Sequence, residues 1–212
     1  MSRIIFLNGT SSAGKTTLAK ALQGVLDRPY FHLASDQLVE AGALPRRREE
    51  GGEFAWAEVR PRFFAGFHRS LAAYADAGNC LVVDHVLEYA EWLGECTELL
   101  APFDVFFVGV HCPLDELERR ERARGDRRIG EAGEHLQVVH TFSPYDFEVD
   151  TSKHSPGENA LQIVAARQAL PGPGVFRRLS LGSGLGRAPV RRTRRGGKGD
   201  DHAPRTNPPL SP

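Results

Sequence analysis

A run of small residues and one lysine follows directly after an apolar segment near the start of the chain. The letters GTSSAGKT, residues 9–16, match the pattern G-x-x-x-x-G-K-[ST] and lie between a predicted strand and a predicted helix. Small residues let the backbone curl around a phosphate so that several N–H groups point inward. The start of the helix adds unpaired donors and a partial positive charge. We therefore expect a triphosphate-binding loop at this position.

The positions of this loop have separate expected roles. Lys15 would place a full positive charge beside the terminal phosphates of ATP, and the Thr16 hydroxyl would bind Mg²⁺. The ATP-binding residues would be Gly9, Thr10, Ser11, Ser12, Ala13, Gly14, Lys15, Thr16 and Thr17. Ordinary residue frequencies produce this pattern in a chain of this length only about one or two times in a hundred. The motif is thus specific for a nucleotide, but it fits a GTPase, a motor ATPase or a small-molecule kinase.

Two aspartates follow predicted strands at positions where α/β sheets bind ligands. Asp84 ends the buried run CLVVD (80–84), where a carboxylate can hold the Mg²⁺ of a phosphate-loop site through water. Asp36 comes just after the run YFHLA (30–34), where a carboxylate can orient an acceptor hydroxyl and take its proton. Simpler roles remain open, since Asp84 could cap the next turn and Asp36 or Ser35 could cap a helix.

The segment ERRERARGDRRIG, residues 118–130, is rich in arginine. Its six arginines are Arg119, Arg120, Arg122, Arg124, Arg127 and Arg128. The helical part leads into Gly125-Asp126, a flexible joint, which is typical of a lid that closes arginines over phosphates. A solvated helix face is the alternative. No Asn-Lys-x-Asp motif, which reads guanine in GTPases, occurs in the sequence, so a small-molecule kinase is favoured.

The first 170 residues alternate short apolar runs with helical patterns. Strands are predicted over 3–7, 30–34, 80–84, 104–110 and 145–151, and helices over 15–26, 55–78 (broken near Pro61), 88–100, 113–124 and from 155. Strands that are apolar throughout are buried on both faces. The alternation predicts an α/β fold with a parallel sheet covered by helices on both faces. Residues 43–54, with proline, paired glycine and mixed charge, predict a loop or a mobile cap.

Composition divides the chain at about residue 170. Residues 171–212 hold seven of the 14 prolines, eight of the 22 glycines, nine of the 27 basic residues and two of the 27 acidic residues. Such a segment cannot bury enough apolar surface to offset its chain entropy. We therefore predict a kinase domain over 1–170 and a disordered tail over 171–212. The stretch RRTRRGGKG could contact nucleic acid, but a solvated extension is favoured.

The lengths of the apolar runs and the spacing of the cysteines indicate where the protein acts. The sequence contains no apolar run near the roughly 18 residues that span a bilayer, so no membrane partner is expected. The apolar stretch at the N-terminus is too short for a secretion signal. The three cysteines show no Cys-x-x-Cys spacing, which argues against a disulfide framework and favours small buried thiols. We expect a cytoplasmic protein.

Taken in order, these motifs resemble the chloramphenicol phosphotransferase family. The resemblance covers nearly all of 1–170 and is carried by LNGTSSAGKTTLAKALQ, SDQL, LVVDHV, VFFVGVHCPLDELERRERARGDR, VVH and YDFEVDTSKHSP. It implies a P-loop kinase with a five-stranded parallel sheet, for which we expect the order 2-3-1-4-5. It also implies transfer of the ATP γ-phosphate to an alcohol of a small hydroxylated molecule, with chloramphenicol as one candidate and antibiotic resistance as the biological role.

The resemblance also implies residue roles. Asp36 matches the catalytic base of the family, and Arg124 and Arg127 match its RGDR arginines, so we expect Arg124 to contact ATP. With Lys15, Arg127 would neutralise charge on the transferred phosphoryl group. Two departures concern the acceptor: His85 stands beside Asp84 where the family has a second acid, and the segment between Asp36 and Asp84 is shorter. A kinase of another metabolite, such as a nucleoside, and a non-catalytic nucleotide-binding module therefore remain as alternatives.

Several remaining side chains have plain structural interpretations. Phe63, Phe64 and Phe67 recur at helical spacing with Trp56 nearby. This pattern could line a pocket that accepts an aromatic molecule, but it is more typical of a core stripe. We interpret His85 as a neutral polar residue of the pocket rather than a metal ligand.

Overall fold

The computed structural model describes residues 2–124, 130–170 and 172–182, without the side chains of residues 124 and 131. The strands are β1 Arg3–Asn8, β2 Tyr30–Ala34, β3 Cys80–His85, β4 Asp104–His111 and β5 Phe147–Asp150. All pair in parallel in the order β2-β3-β1-β4-β5. The predicted parallel sheet and its strand order are confirmed.

Helices cover both faces of this sheet. In the described part of the chain they are α1 Lys15–Val25, α2 Ser35–Glu40, α3 Arg46–Glu50, α4 Trp56–Asp76, α5 Ala90–Leu100, α6 Leu114–Arg124, α7 Glu131–Leu136, α8 Pro156–Ala169 and α9 Val175–Gly182. Alternate residues of β1 point to opposite faces. Ile5 and Leu7 pack with α1, α6 and α8, whereas Ile4 and Phe6 pack with α4, α5 and α9. The central strands are apolar throughout because both of their faces are buried.

Two local expectations about the helices need correction. The segment 43–54, predicted as a loop or a mobile cap, contains the short helix α3. Helix α4 continues through Pro61 instead of breaking there. Pro61 is near the start of the helix and exposed, so its missing N–H removes one hydrogen bond, while Phe67 and Leu71 bury the apolar face further along.

The ordered unit extends past residue 170. Val175 and Phe176 of α9 are each 1% exposed, and the Phe176 ring centroid lies 5.3 Å from that of Phe6. The Val175 N–H donates to Asp146 Oδ1 at 2.7 Å. The prediction of a disordered tail from residue 171 is therefore wrong for 175–182, because composition averaged over the segment conceals two large apolar residues. Residues 171 and 183–212 lie outside the described part of the chain.

Two further expectations concern the cysteines and the membrane. Cys80, Cys96 and Cys112 are buried and free, as predicted. Within the described residues, no helix has both the length and the apolar character needed to cross a membrane.

Candidate active site

The connection between β1 and α1 forms a tight loop that only particular residues can occupy. A Cβ atom at Gly9 would lie 2.4 Å from the carbonyl oxygen of Val110. Gly14 has a φ of 86° and is the N-cap of α1, a left-handed conformation that favours glycine. The Ala13 N–H donates to the Thr10 carbonyl at 3.3 Å inside the loop. The sequence pattern therefore corresponds to a curled backbone that ends at a helix N-terminus.

Lys15, Thr16 and Asp84 meet at this helix N-terminus. Lys15 Nζ donates to the Thr10 carbonyl at 2.8 Å and lies 3.7 Å from Asp84 Oδ1. Thr16 Oγ1 donates to Asp84 Oδ2 at 2.7 Å. Burial opposes ionisation of Asp84, but the charge of Lys15, the neighbouring His32 ring and the hydrogen bond from Thr16 outweigh it, so the pKa of Asp84 lies below its ordinary value. A carboxylate, a hydroxyl and an ammonium group thus meet beside the loop, with Lys15 and Asp84 buried and Thr16 exposed.

His32 and Gln37 connect Asp84 to helix α2, a contact that the sequence did not indicate. Gln37 Oε1 accepts from the Ala34 N–H at 3.1 Å, which orients the amide. Gln37 Nε2 then donates to His32 Nδ1 at 3.0 Å. Because Nδ1 accepts, the ring proton of His32 is on Nε2, 3.7 Å from Asp84 Oδ2. The donor side of this imidazole therefore faces the buried carboxylate.

Asp36 lies in the first turn of α2, on a wall shared by two cavities. The N-cap of α2 is Ala34, so neither Ser35 nor Asp36 serves as the cap. The Asp36 side chain is exposed. The residues that line both cavities are Ser11, Ser35, Asp36, His85 and Val86. A carboxylate on a wall shared by two cavities can face ligands in both.

The first cavity has a volume of about 450 Å³ and lies over the phosphate loop. Its lining includes Lys15, Thr16 and Asp84. Residues from α6, from the β5–α8 connection and from α8 complete it: Arg119, Arg120, Ala123, Thr151, His154, Pro156 and Asn159. The phosphate loop, α6, the β5–α8 connection and α8 therefore line this cavity together.

Arg120 is the described arginine of 118–124 that contacts the phosphate loop. Its Nη1 donates to the Ser12 carbonyl at 3.4 Å and to Thr151 Oγ1 at 3.0 Å, and its Nη2 donates to the Thr151 carbonyl at 3.0 Å. Its Nε donates to Glu116 at 2.7 Å. Hydrogen bonds from Arg119 and Arg120 lower the pKa of Glu116 to about 2. Arg120 is thus held as a fixed cation beside the loop.

The family resemblance assigned contacts with ATP and the phosphoryl group to two other arginines, Arg124 and Arg127. Arg127 lies outside the described residues, and the side chain of Arg124, at the end of α6, is also outside them. The sequence did not single out Arg120, because arginines in a run look alike until the rotation of the helix is known.

The second cavity, of about 1030 Å³, has an aromatic wall. This aromatic wall consists of Trp56, Phe63, Phe64, Tyr89 and Trp92. The guanidinium of Arg60 lies 5.1 Å from the Phe64 ring centroid and 4.9 Å from that of Trp92, and it pairs with Glu88 at 2.6 Å. Phe67, in contrast, is 3% exposed in the core. The phenylalanine stripe therefore serves two purposes, since Phe67 packs in the core and Phe63 and Phe64 line the cavity.

Two buried histidines, His68 and His85, pack against Trp92 of the aromatic wall. His68 and His85 are 1% and 2% exposed, and their Nε2 atoms are 3.0 Å apart. His68 Nδ1 lies 2.8 Å from Glu95 Oε2; a carboxylate oxygen accepts, so His68 Nδ1 donates. Burial lowers the pKa of both rings, so both are neutral near pH 7. His68 Nε2 then accepts from the His85 Nε2–H, which leaves His85 Nδ1 unprotonated.

The phosphate loop between the first strand and the first helix of a parallel sheet, with a second cavity beside it, is the architecture of the P-loop kinases. Solved structures share this fold. The APS kinase of Mycobacterium tuberculosis, in complex with AMPPNP and APS, is 20% identical with a TM-score of 0.56, covering 79% of this chain and 98% of that chain. The shikimate kinase of Acinetobacter baumannii, in complex with shikimate, is 18% identical with a TM-score of 0.52, covering 80% and 94%.

The chain belongs to the chloramphenicol phosphotransferase-like family, whose model matches residues 2–168. Proteins from two strains of Mycobacterium tuberculosis, provisionally named O-phosphotransferases, are 33% identical over 196 residues, covering 84% of this chain and 87% of theirs. The expected family is confirmed, and the protein is a nucleotide-dependent phosphotransferase that acts on small molecules.

Proposed function

We propose that the protein moves the γ-phosphate of ATP to an alcohol group of an aromatic small molecule, with ATP in the first cavity and the acceptor in the second. The observation that carries this proposal is the position of Asp36, which lines both cavities. In phosphoryl transfer a carboxylate orients the attacking hydroxyl and accepts its proton. Asp36 is the catalytic residue in this proposal.

The residues at the phosphate loop bind and neutralise the triphosphate. The backbone of 9–17 surrounds the phosphates, and Lys15 adds its charge beside them. Thr16 Oγ1 and the Asp84 carboxylate, 2.7 Å apart, are oxygen ligands of the kind that Mg²⁺ prefers. When bound there, Mg²⁺ would neutralise charge on the phosphates. Thr16 and Asp84 therefore fit the predicted metal role.

Arginines of the segment 118–130 supply the remaining positive charge. Arg120 is already in contact with the loop through Ser12. Arg124 and Arg127 remain proposed ATP and phosphoryl contacts, and the segment remains the proposed lid. Lys15 and Arg127 at the transferred phosphoryl group would lower the barrier without any covalent step by the protein.

The aromatic wall favours an acceptor with a flat ring. Aromatic side chains bury rings with edge and stacked contacts, and Phe64 and Trp92 are 4.2 Å apart at their centroids. Chloramphenicol, an aromatic alcohol, is the first candidate because of the family to which the chain belongs. Its phosphorylation would give resistance to the antibiotic. A nucleoside, which also carries a flat base and hydroxyls, is the second candidate.

A transfer screen tests this proposal. The full-length protein is incubated with γ-labelled ATP, Mg²⁺ and each member of a panel of chloramphenicol, related aromatic aminodiols, nucleosides and matched aliphatic alcohols, and labelled product is measured. We expect transfer to at least one aromatic alcohol and none to matched aliphatic alcohols. ATP binding without transfer to any member would favour the non-catalytic nucleotide-binding module instead.

A further inference from the structure

Asn159 is a fully buried polar residue in the lining of the first cavity. It lies near the start of α8 and is 0% exposed. Its Nδ2 donates to the carbonyl oxygens of Asp150 at 3.4 Å and His154 at 3.3 Å. These two acceptors fix the orientation of the amide, because the reverse orientation would place Oδ1 against two carbonyl oxygens. The oxygen of the side chain is therefore the group that remains for another partner.

Oδ1 of Asn159 has no hydrogen-bond partner among the residues that the structure describes. Buried polar atoms in folded proteins are nearly always paired, and an unpaired carbonyl oxygen lowers stability. An N–H or O–H group of a ligand in the cavity would pair with it. A hydrogen-bond acceptor on the ligand would instead meet a second acceptor.

The surroundings of Asn159 are suited to a nucleotide base. Under the proposed function, the loop of 9–17 holds the phosphates. The cavity lining near the start of α8 does not belong to this loop. His154 and Pro156 line the same cavity, and an imidazole ring can stack on a base. Adenine carries a single donor group, the 6-amino group, whereas guanine has a carbonyl oxygen at that position.

We propose that Asn159 Oδ1 accepts a hydrogen bond from the 6-amino group of adenine and thereby selects ATP. The assignment rests on the proposed function, since it takes the first cavity as the ATP site. Asn159 is then a residue that determines base specificity, separate from the groups that bind phosphate.

Calorimetric binding to the full-length protein tests this assignment. The probes are ATP, GTP, 2′-deoxyATP and purine riboside triphosphate, which lacks the 6-amino group. One neutral hydrogen bond corresponds to about a fivefold to tenfold change in affinity. We expect purine riboside triphosphate to bind the wild type weaker than ATP by that factor, GTP to bind weaker still, and 2′-deoxyATP to bind like ATP. Asn159→Leu should bind ATP and purine riboside triphosphate equally, while the control Asn79→Leu, at a partly buried residue between α4 and β3 that lines neither cavity, should keep the preference.

The outcomes separate this assignment from the proposed function. Equal affinity of the wild type for ATP and purine riboside triphosphate overturns the assignment without any variant, and ATP-dependent transfer would still stand. A preference that survives in Asn159→Leu, or a weakening of both nucleotides by the same factor, also overturns it, because Asn159 would then act only through the 150–154 connection. Weaker binding of 2′-deoxyATP would place a ribose hydroxyl at Oδ1 instead. Failure of the wild type to bind any of the four removes the proposed function and the assignment together.

Discussion

Thr16 Oγ1 donates a 2.7 Å hydrogen bond to Asp84 Oδ2, which joins the start of α1 to the end of the neighbouring strand β3. The contact follows from the topology, because β3 pairs with β1 and the two parallel strands end at the same edge of the sheet. Leu7 pairs in register with Asp84, so the phosphate loop that follows β1 begins beside this carboxylate.

Removal of the Asp84 charge should impair the use of Mg²⁺ in the transfer reaction. Asp84→Asn keeps the shape but removes the charge that would hold Mg²⁺, so we expect at least a tenfold higher Mg²⁺ concentration for half-maximal transfer. EDTA should abolish transfer by the wild type, and added Mg²⁺ should restore it. The control is Asp76→Asn, an exposed aspartate at the end of α4. Wild-type turnover that is unchanged in EDTA would remove the metal from the mechanism.

Replacement of Arg120 tests whether a fixed cation beside the loop is needed. Arg120→Lys keeps the charge but cannot make the contacts to Ser12, Thr151 and Glu116 together. We expect about tenfold weaker ATP binding by calorimetry. Arg119→Lys is the matched control, because Arg119 pairs with Glu116 and its side chain is 65% exposed. Equal effects of the two substitutions would show that only the total charge of the segment matters.

Stability should fall on mild acidification because of buried neutral histidines. Burial, together with the charges of His111 and Lys15, lowers the pKa of His140 from 6.5 to about 4; its Nδ1 also pairs with the Tyr145 hydroxyl at 2.8 Å. The unfolded ring takes up a proton below pH 6.5, whereas the folded ring does so only near pH 4. The contribution of His140 is therefore present above pH 6.5 and is lost as the pH falls towards 4.

Urea unfolding at pH 7.5 and pH 5 measures this effect. The free energy of unfolding should decrease between the two pH values, and His140→Gln should reduce the decrease. His68 and His85 contribute with the same sign, so part of the decrease should remain. The exposed His154→Gln is the control. A decrease that is identical in wild type and His140→Gln would contradict the shifted pKa.

The hydrogen-bonded chain from Glu95 through His68 to His85 predicts a specific tautomer for each ring. NMR of ¹⁵N-histidine-labelled protein near pH 7 should show a proton on His68 Nδ1 and an unprotonated Nδ1 on His85. In Glu95→Leu the Nδ1 proton of His68 loses its acceptor, and we expect the tautomers to become mixed. A protonated Nδ1 on His85 in the wild type would reverse the direction of the chain.

Much of this architecture could be predicted because its signals are contiguous in the sequence. Residues 9–16 form the phosphate loop through consecutive positions, and unbroken apolar runs identify strands buried on both faces. The strand order came with the family resemblance. The contact between Thr16 and Asp84 needed only the rule that parallel strands end at one edge.

The unpredicted features depend on contacts between distant positions. His68 meets His85 and Glu95 from three different elements, and no local pattern indicates such a meeting. The contact of His32 with Asp84 depends on the orientation of Gln37, which is set by a backbone N–H. The contact of Arg120 with the loop depends on the rotation of α6, and two apolar residues of α9 were concealed by the composition around them.

The most direct test of the central claim measures γ-phosphate transfer and ATP binding together in Asp36→Asn. The acceptor is the best substrate of the transfer screen, and Asp76→Asn is the control. Loss of a general base typically reduces the rate by about 10²–10⁴-fold, so we expect a loss of at least about 100-fold in kcat with ATP affinity unchanged. Transfer by Asp36→Asn at the wild-type rate would contradict the assignment of Asp36 and the account of the two cavities that depends on it.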